Sequence, residues 1–170
     1  MAEMKYSPKQ LVAVLFLALA STMIVTAQNT VQDMLDAHNT VRASVGVPPV
    51  VWDDTVATYA DAFAEKRRAD CLFEFSPLGR PYGENVFVGT GSEWNYVDAL
   101  NWWVAEKQYY DHATNTCSAP PGKSCDAYKQ VVWRDTTAIG CQGLVCDGNA
   151  GVYVICDYSP PGNVVGQTPY

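Results

Sequence analysis

Six cysteines constrain this chain more than any other feature, and all of them fall in its last hundred residues: Cys71, Cys117, Cys125, Cys141, Cys146 and Cys156. An even number of half-cystines in an oxidising compartment predicts three disulfides, and six cysteines can pair in fifteen ways. A zinc–thiolate site is the competing use. It is disfavoured because no two cysteines stand in a C-x-x-C spacing. The compartment is argued by the N-terminus. Lys5 and Lys9 precede the uninterrupted apolar run Leu11–Ala20, and Val25-Thr26-Ala27 places small residues before Gln28. That pattern predicts a cleaved signal peptide over 1–27 and a secreted, extracellular product. The apolar run is too short to span a bilayer, which takes about 20 predominantly apolar residues.

The remainder, 28–170, has the length of one domain with room for a core. The whole chain carries a formal charge of −7, and loss of Lys5, Lys9 and Glu3 makes the body one unit more negative. An acidic body of this kind excludes nucleic acid as an electrostatic partner. Nothing in the composition asks for a cofactor or for assembly beyond a monomer. No N-x-S/T acceptor occurs, so N-glycosylation is not expected.

Three helices are expected. Thr30 with Asp33 suits a helix start, followed by an apolar stripe at Val31, Met34, Leu35, His38 and Val41 or Arg42. Gly46, Pro48 and Pro49 end it. His38 lies on that stripe and reads as a hydrogen-bonded core histidine rather than a ligand or base. Asp53 and Asp54 open a second helix with Val56, Tyr59, Ala60, Phe63 and Ala64 on its buried face; Lys66, Arg67 and Arg68 complement its C-terminal dipole. A third carries Val97, Leu100, Trp103 and Val104, with Glu106 one turn beyond the tryptophans.

Strands are expected elsewhere. Gly83–Val88 is a short strand entered through Glu84. A meander follows at Tyr128–Trp133, Ile139–Cys146 and Val152–Tyr158. The bunched Val131-Val132-Trp133 reads as a buried strand. Pairing Cys146 with Val152 would set Cys141 opposite Asp157, and a bulge at Gly143 would then bring Cys141 to Cys156. A bridge from Cys117 to Cys125 would staple the loop between them. Residues 160–170, PPGNVVGQTPY, read as an extended surface tail.

Several segments together resemble the plant pathogenesis-related class one proteins of the cysteine-rich secretory, antigen 5 and pathogenesis-related superfamily. They include Ala37-His38-Asn39 with Arg42, Pro81-Tyr82-Gly83-Glu84-Asn85, Trp103-Val104-Ala105-Glu106-Lys107 and Gln130-Val131-Val132-Trp133. Gly140-Cys141, Cys156-Asp157-Tyr158 and Pro169-Tyr170 continue the match. The resemblance implies an α+β fold, a three-layer α-β-α sandwich with a small, mainly antiparallel central sheet. It implies the pairing Cys71–Cys146, Cys117–Cys125 and Cys141–Cys156.

It also implies a cleft with two histidines and two glutamates able to hold a divalent ion. The glutamates map onto Glu84 and Glu106. The histidines map onto Phe75 and Ala127, so the usual metal cleft is expected to be disabled. Zinc held by two carboxylates alone is a poor site. Glu74 is a replacement ligand only if its loop shifts, and Asp126 is excluded if it lies on a strand with Ala127. If Glu84 and Glu106 face each other, one is expected to keep its proton to higher pH; otherwise they bind backbone amides. The catalytic residues are expected to be none, leaving a metal-dependent hydrolase as the alternative function.

The resemblance further implies sterol or lipid binding through an aromatic loop, here Tyr109, Tyr110 and Asp111 onward to Cys117. The competing role of the tyrosines is packing. Finally, it implies a signalling peptide released between Ser159 and Pro160, with its own receptor. The usual Cys-Asn-Tyr ahead of that junction is Cys-Asp-Tyr here.

Overall fold

A computed structural model describes residues 30–170; the leader read over 1–27 lies outside them. Thr30 and Asp33 close a reciprocal capping box and start helix α1, Val31–Ser44. Asp53 accepts hydrogen bonds from the amides of Thr55 and Val56 and starts α2, Asp54–Arg67. Asn95 and Asp98 form a second capping box for α3, Tyr96–Val104, which tightens into a 3-10 turn over Ala105–Tyr109.

The central sheet has the strand order β1-β5-β6-β2. Its members are β1 (Val51–Trp52), β2 (Gly83–Gly89), β5 (Ala138–Val145) and β6 (Val152–Ser159). Only the β1–β5 pair is parallel. Two short strands, β3 (Tyr110–Asp111) and β4 (Thr116–Cys117), form a separate hairpin. On one face of the sheet, Val86, Tyr153 and Ile155 pack against Ala60, Phe63 and Ala64 of α2. On the other, Phe87, Val154, Cys156 and Tyr158 meet Met34, Leu100 and Trp103 from α1 and α3. The architecture is therefore the three-layer α-β-α sandwich. Gly140 lets α2 lie close on β5, because a Cβ there would sit 2.0 Å from the Ala57 nitrogen.

The disulfides join Cys71–Cys146, Cys117–Cys125 and Cys141–Cys156. Cys71 ties the end of α2 to the β5–β6 turn, and Cys117 ties the small hairpin to the start of a fourth helix.

Two expectations are corrected. The segment read as a strand, Tyr128–Trp133, is helical: α4 spans Asp126–Val131. Its apolar run does not distinguish a buried strand from a short buried helix. What decides it is remote in sequence, since a Glu106 oxygen accepts the amides of Ala127 and Tyr128 at 2.8 and 3.3 Å and caps the first turn. The second correction concerns register. Val145, not Cys146, faces Val152, and Cys141 faces Cys156 directly, so no bulge is needed and Gly143 sits in a regular ladder. Cys146 leaves the strand to bond Cys71, while its amide reaches the Gly151 carbonyl at 2.8 Å.

The tail, 160–170, is pinned to the body at several points. Gly162 donates its amide to the Gln130 side chain at 2.9 Å, and Arg134 donates to the Pro169 carbonyl at 2.7 Å. Tyr170 stacks on His112 with ring centroids 4.2 Å apart, and its hydroxyl meets that of Tyr128 at 3.1 Å. Gly162 has to be small, because a Cβ there would stand 2.7 Å from the Trp133 ring.

Candidate functional site

A cleft of about 940 Å³ runs along the β2 edge of the sheet, and it brings Glu84, Glu106, Phe75 and Ala127 into one lining. Glu84 comes from β2 and is buried. Its two oxygens accept the Ser76 amide at 2.8 Å and the Ser76 hydroxyl at 2.6 Å. Glu106 comes from the 3-10 turn after α3. One oxygen caps α4, and the other accepts the Ser124 hydroxyl at 3.2 Å. Burial pushes the Glu106 carboxyl above its ordinary range, and the amides of Tyr128 and Ala127 oppose that shift. Each carboxylate thus has its own set of donors.

The partner that crowds Glu84 is Asp157. The two residues are directly opposite on β2 and β6 and share a face of the sheet. Asp157 is fully buried, and among the described residues neither of its oxygens has a hydrogen-bond donor. Burial, followed by the charge and contact of Glu84, pushes its pKa up to about 8, with Arg80 pulling the other way. Two charged carboxylates offer each other no donor; once Asp157 holds a proton, it can donate to Glu84. Sequence reading passed over this pair. Its only trace was an aspartate between Cys156 and Tyr158 where the family pattern has asparagine.

Phe75 meets Phe73 edge-on at 5.5 Å and carries the Arg80 guanidinium 5.7 Å above its ring. Ala127 contributes its carbonyl to Asn85 at 3.0 Å. Glu74 is ion-paired with Arg67. Asp126, on a helix rather than a strand, is ion-paired with Lys129 at 2.8 Å. The facing-direction argument against Asp126 therefore falls, and its ion pair takes its place.

Neither histidine of the chain lies in the cleft lining. His38 is fully buried and stays neutral, burial pushing its pKa down to about 4. Its Nδ1 lies 2.9 Å from the Met34 carbonyl and must donate there, so Nε2 accepts from the Tyr158 hydroxyl at 2.9 Å. Tyr158 in turn accepts from Asn85 Nδ2 at 3.2 Å. This relay holds α1 to the sheet as a core network.

In the hairpin loop, the Tyr110 hydroxyl donates to Asn115 at 2.8 Å and its ring leans on Tyr128 at 6.0 Å. Asp111 accepts the Ala113 amide at 2.9 Å. Tyr109 is half-buried, and its carbonyl accepts the Ser118 amide at 2.9 Å. Ser159 closes β6; its carbonyl accepts the Thr137 amide at 2.9 Å, and the Pro160 carbonyl accepts the Thr136 hydroxyl at 2.9 Å.

The model of the cysteine-rich secretory protein family, CAP, matches residues 35–158. The chain belongs to the CAP family. Within it, plant pathogenesis-related proteins are among its curated relatives. The chain is 46% identical to the pathogenesis-related protein PRMS of Zea mays, over 98% of this chain and 100% of that one. It is 48% identical to pathogenesis-related protein 1B of Nicotiana tabacum, over 94% of this chain and 92% of that one. Among solved structures, BmVAL-1 superposes with a TM-score of 0.68 at 21% identity, covering 88% of this chain and 85% of its own. At that identity the likeness speaks for the CAP fold alone.

Proposed function

We propose that this CAP protein is a secreted, non-enzymatic plant defence protein that binds sterol or a similar lipid. The observation that carries this reading is near-full-length identity of 46–48% to plant pathogenesis-related proteins, joined to a cleft whose lining contains no imidazole or thiolate. The three disulfides suit an extracellular setting. Among the described residues no helix is long and apolar enough to cross a membrane. Titration of the protein with a fluorescent sterol, dehydroergosterol, tests the reading. Saturable binding supports it, and its absence removes the lipid.

The hydrolase alternative is disfavoured by the donor set. The four family positions present two carboxylates, a phenyl ring and a methyl group, and both carboxylates already have donors. Such a set does not fit zinc. Among the described residues no three of His, Cys, Asp and Glu gather where a cation would sit. Protein dialysed against zinc should retain far less than one equivalent. The double variant Phe75→His, Ala127→His should retain one, because all four positions line the same cleft. Stoichiometric zinc in the unmodified protein would reopen hydrolysis.

A second role, as precursor of the peptide 160–170, is compatible with the first. The Ser159–Pro160 junction is held by β6 pairing and by Thr136, so release requires local opening of that end of the strand. Mass spectrometry of secreted fluid showing only full-length tails would remove this role.

A further inference from the structure

The geometry points to the cleft along β2, rather than the Tyr109–Cys117 loop, as the seat of an uncharged amphiphile with a flat apolar body, held in place by the C-terminal tail. This deepens the lipid reading above and rests on it.

The first support is where the exposed apolar side chains are. Phe73, Phe75, Trp102, Val164 and Val165 are all exposed, with Val165 at 99%. All five line this one concavity. Apolar side chains scattered singly over a surface mean nothing, but a cluster of them around a cleft marks a ligand site. A volume of about 940 Å³ lies in the range of small-molecule sites. The rings offer flat faces. Trp102 also stands against Phe87 at 6.0 Å, so its plane is braced from below.

Charge then selects the head group. Glu84, Glu106 and Asp126 line the cleft together with Arg80, Lys123 and Lys129, so the lining is formally neutral. Lys129 is spent on Asp126. Arg80 and Lys123 lie over Phe75 and Trp102 at 5.7 and 5.0 Å. A neutral hydroxyl can donate to a spare carboxylate lone pair here. With three bases balancing three acids, the lining gives an anionic head no net attraction.

The third support is the tail. Residues 163–167 form part of the cleft lining. The segment is pinned at one end by Gly162 on Gln130 and Asn163 on the Asp126 carbonyl. At the other end it is pinned by Pro169 on Arg134 and Tyr170 on His112. Between the pins, exposed Val164 and Val165 form a strap. A ligand that touches the strap binds better when the strap is docked, and by linkage it holds the strap docked. Occupancy of the cleft and survival of the tail are therefore coupled.

Dehydroergosterol binding tests this, with palmitate as competitor, on the full chain and on three variants: Phe75→Asp, Val165→Asp and Tyr109→Ser/Tyr110→Ser. Val165 is so exposed that its replacement leaves the fold intact, which keeps the test valid if the others fold poorly. The expected result is at least a tenfold loss of affinity in Phe75→Asp and Val165→Asp, less than a twofold change in the tyrosine variant, and no displacement by palmitate. Bound sterol should also slow thermolysin nicking at Val164 and Val165 several-fold. Unchanged binding in both cleft variants overturns the site while leaving lipid binding standing. Displacement by palmitate at the sterol's own concentration overturns the choice of a neutral head. Absence of sterol binding to the unmodified chain overturns both this inference and the function beneath it.

Discussion

Replacing Arg42 with methionine should cost the fold about 3–5 kcal/mol, because it leaves a set of buried carbonyls without donors. Arg42 lies in the last turn of α1 with no exposed surface and, among the described residues, no carboxylate partner. Its guanidinium donates instead to the carbonyls of Pro48, Val131, Trp133 and Thr136 at 2.8–3.0 Å. The Val131 carbonyl closes α4, where the helix supplies no further amide to it, while the Trp133 carbonyl also accepts the Thr136 amide at 3.2 Å. A cation at a helix C-terminus is also favoured by the dipole. Burial pushes the Arg42 pKa down only to about 10, so the group stays charged in any ordinary buffer. One planar fork thus joins α1, the Pro48 loop and the stretch 131–136. For a chain of this length the loss corresponds to a fall in melting temperature of about 10 °C. Arg42→Lys should recover only part of it, since an ammonium has three donors and no fork. A fall below about 3 °C in the methionine variant would show that water replaces the guanidinium and that the carbonyls do not depend on it.

Arg42 also shows where sequence reading stops. Its place on the apolar stripe of α1 was visible, four residues after His38, but a stripe says only that a side chain faces inward. Three of the four groups that receive it lie 89 to 94 residues later, and all four are backbone oxygens, which leave no mark in composition. Helices α1 and α2 were legible from local starts, Thr30 with Asp33 and Asp53, which sit within one turn of what they cap; α3 was legible from its apolar stripe, and its Asn95–Asp98 box went unread. Helix α4 was misread because its cap is Glu106, brought from another element. The β5–β6 register was missed by one residue for a similar reason. Cys146 belongs to the bridge with Cys71 and not to the ladder, and that bridge spans 75 residues.

The cleft was half legible. Family likeness led to Glu84, Glu106, Phe75 and Ala127, and the fold does bring all four to one lining. It led equally to a question framed around a lost metal, in which the two glutamates either faced each other or bound backbone amides. Each binds amides of its own, that of Ser76 for Glu84 and those at the start of α4 for Glu106. The electrostatic tension moved one strand over, to a pair that only strand register reveals.

That pair sets the second large effect. Asp157→Asn should stabilise the protein at neutral pH and flatten its pH dependence between about pH 4 and pH 8. Asp157 is pushed up to about 8 in the folded chain from an ordinary value of 3.8. Between those two values the folded state holds a proton that the unfolded state has released. Stability therefore falls as pH rises through that window and levels off above it. The groups facing the carboxyl are Glu84 across the ladder, Tyr153 along the same face, and Arg80. Because Ser76 occupies both Glu84 oxygens with donors, the proton resides on Asp157. An asparagine amide can donate to Glu84 at every pH without a charge of its own. The variant's advantage should be near zero at pH 4 and reach about 2 kcal/mol or more by pH 8. Melting temperatures of the two proteins measured in parallel across that range isolate the effect, because every other titrating group is common to both. A difference between them that stays constant with pH would mean that Asp157 is ionised throughout and that Arg80 alone neutralises it.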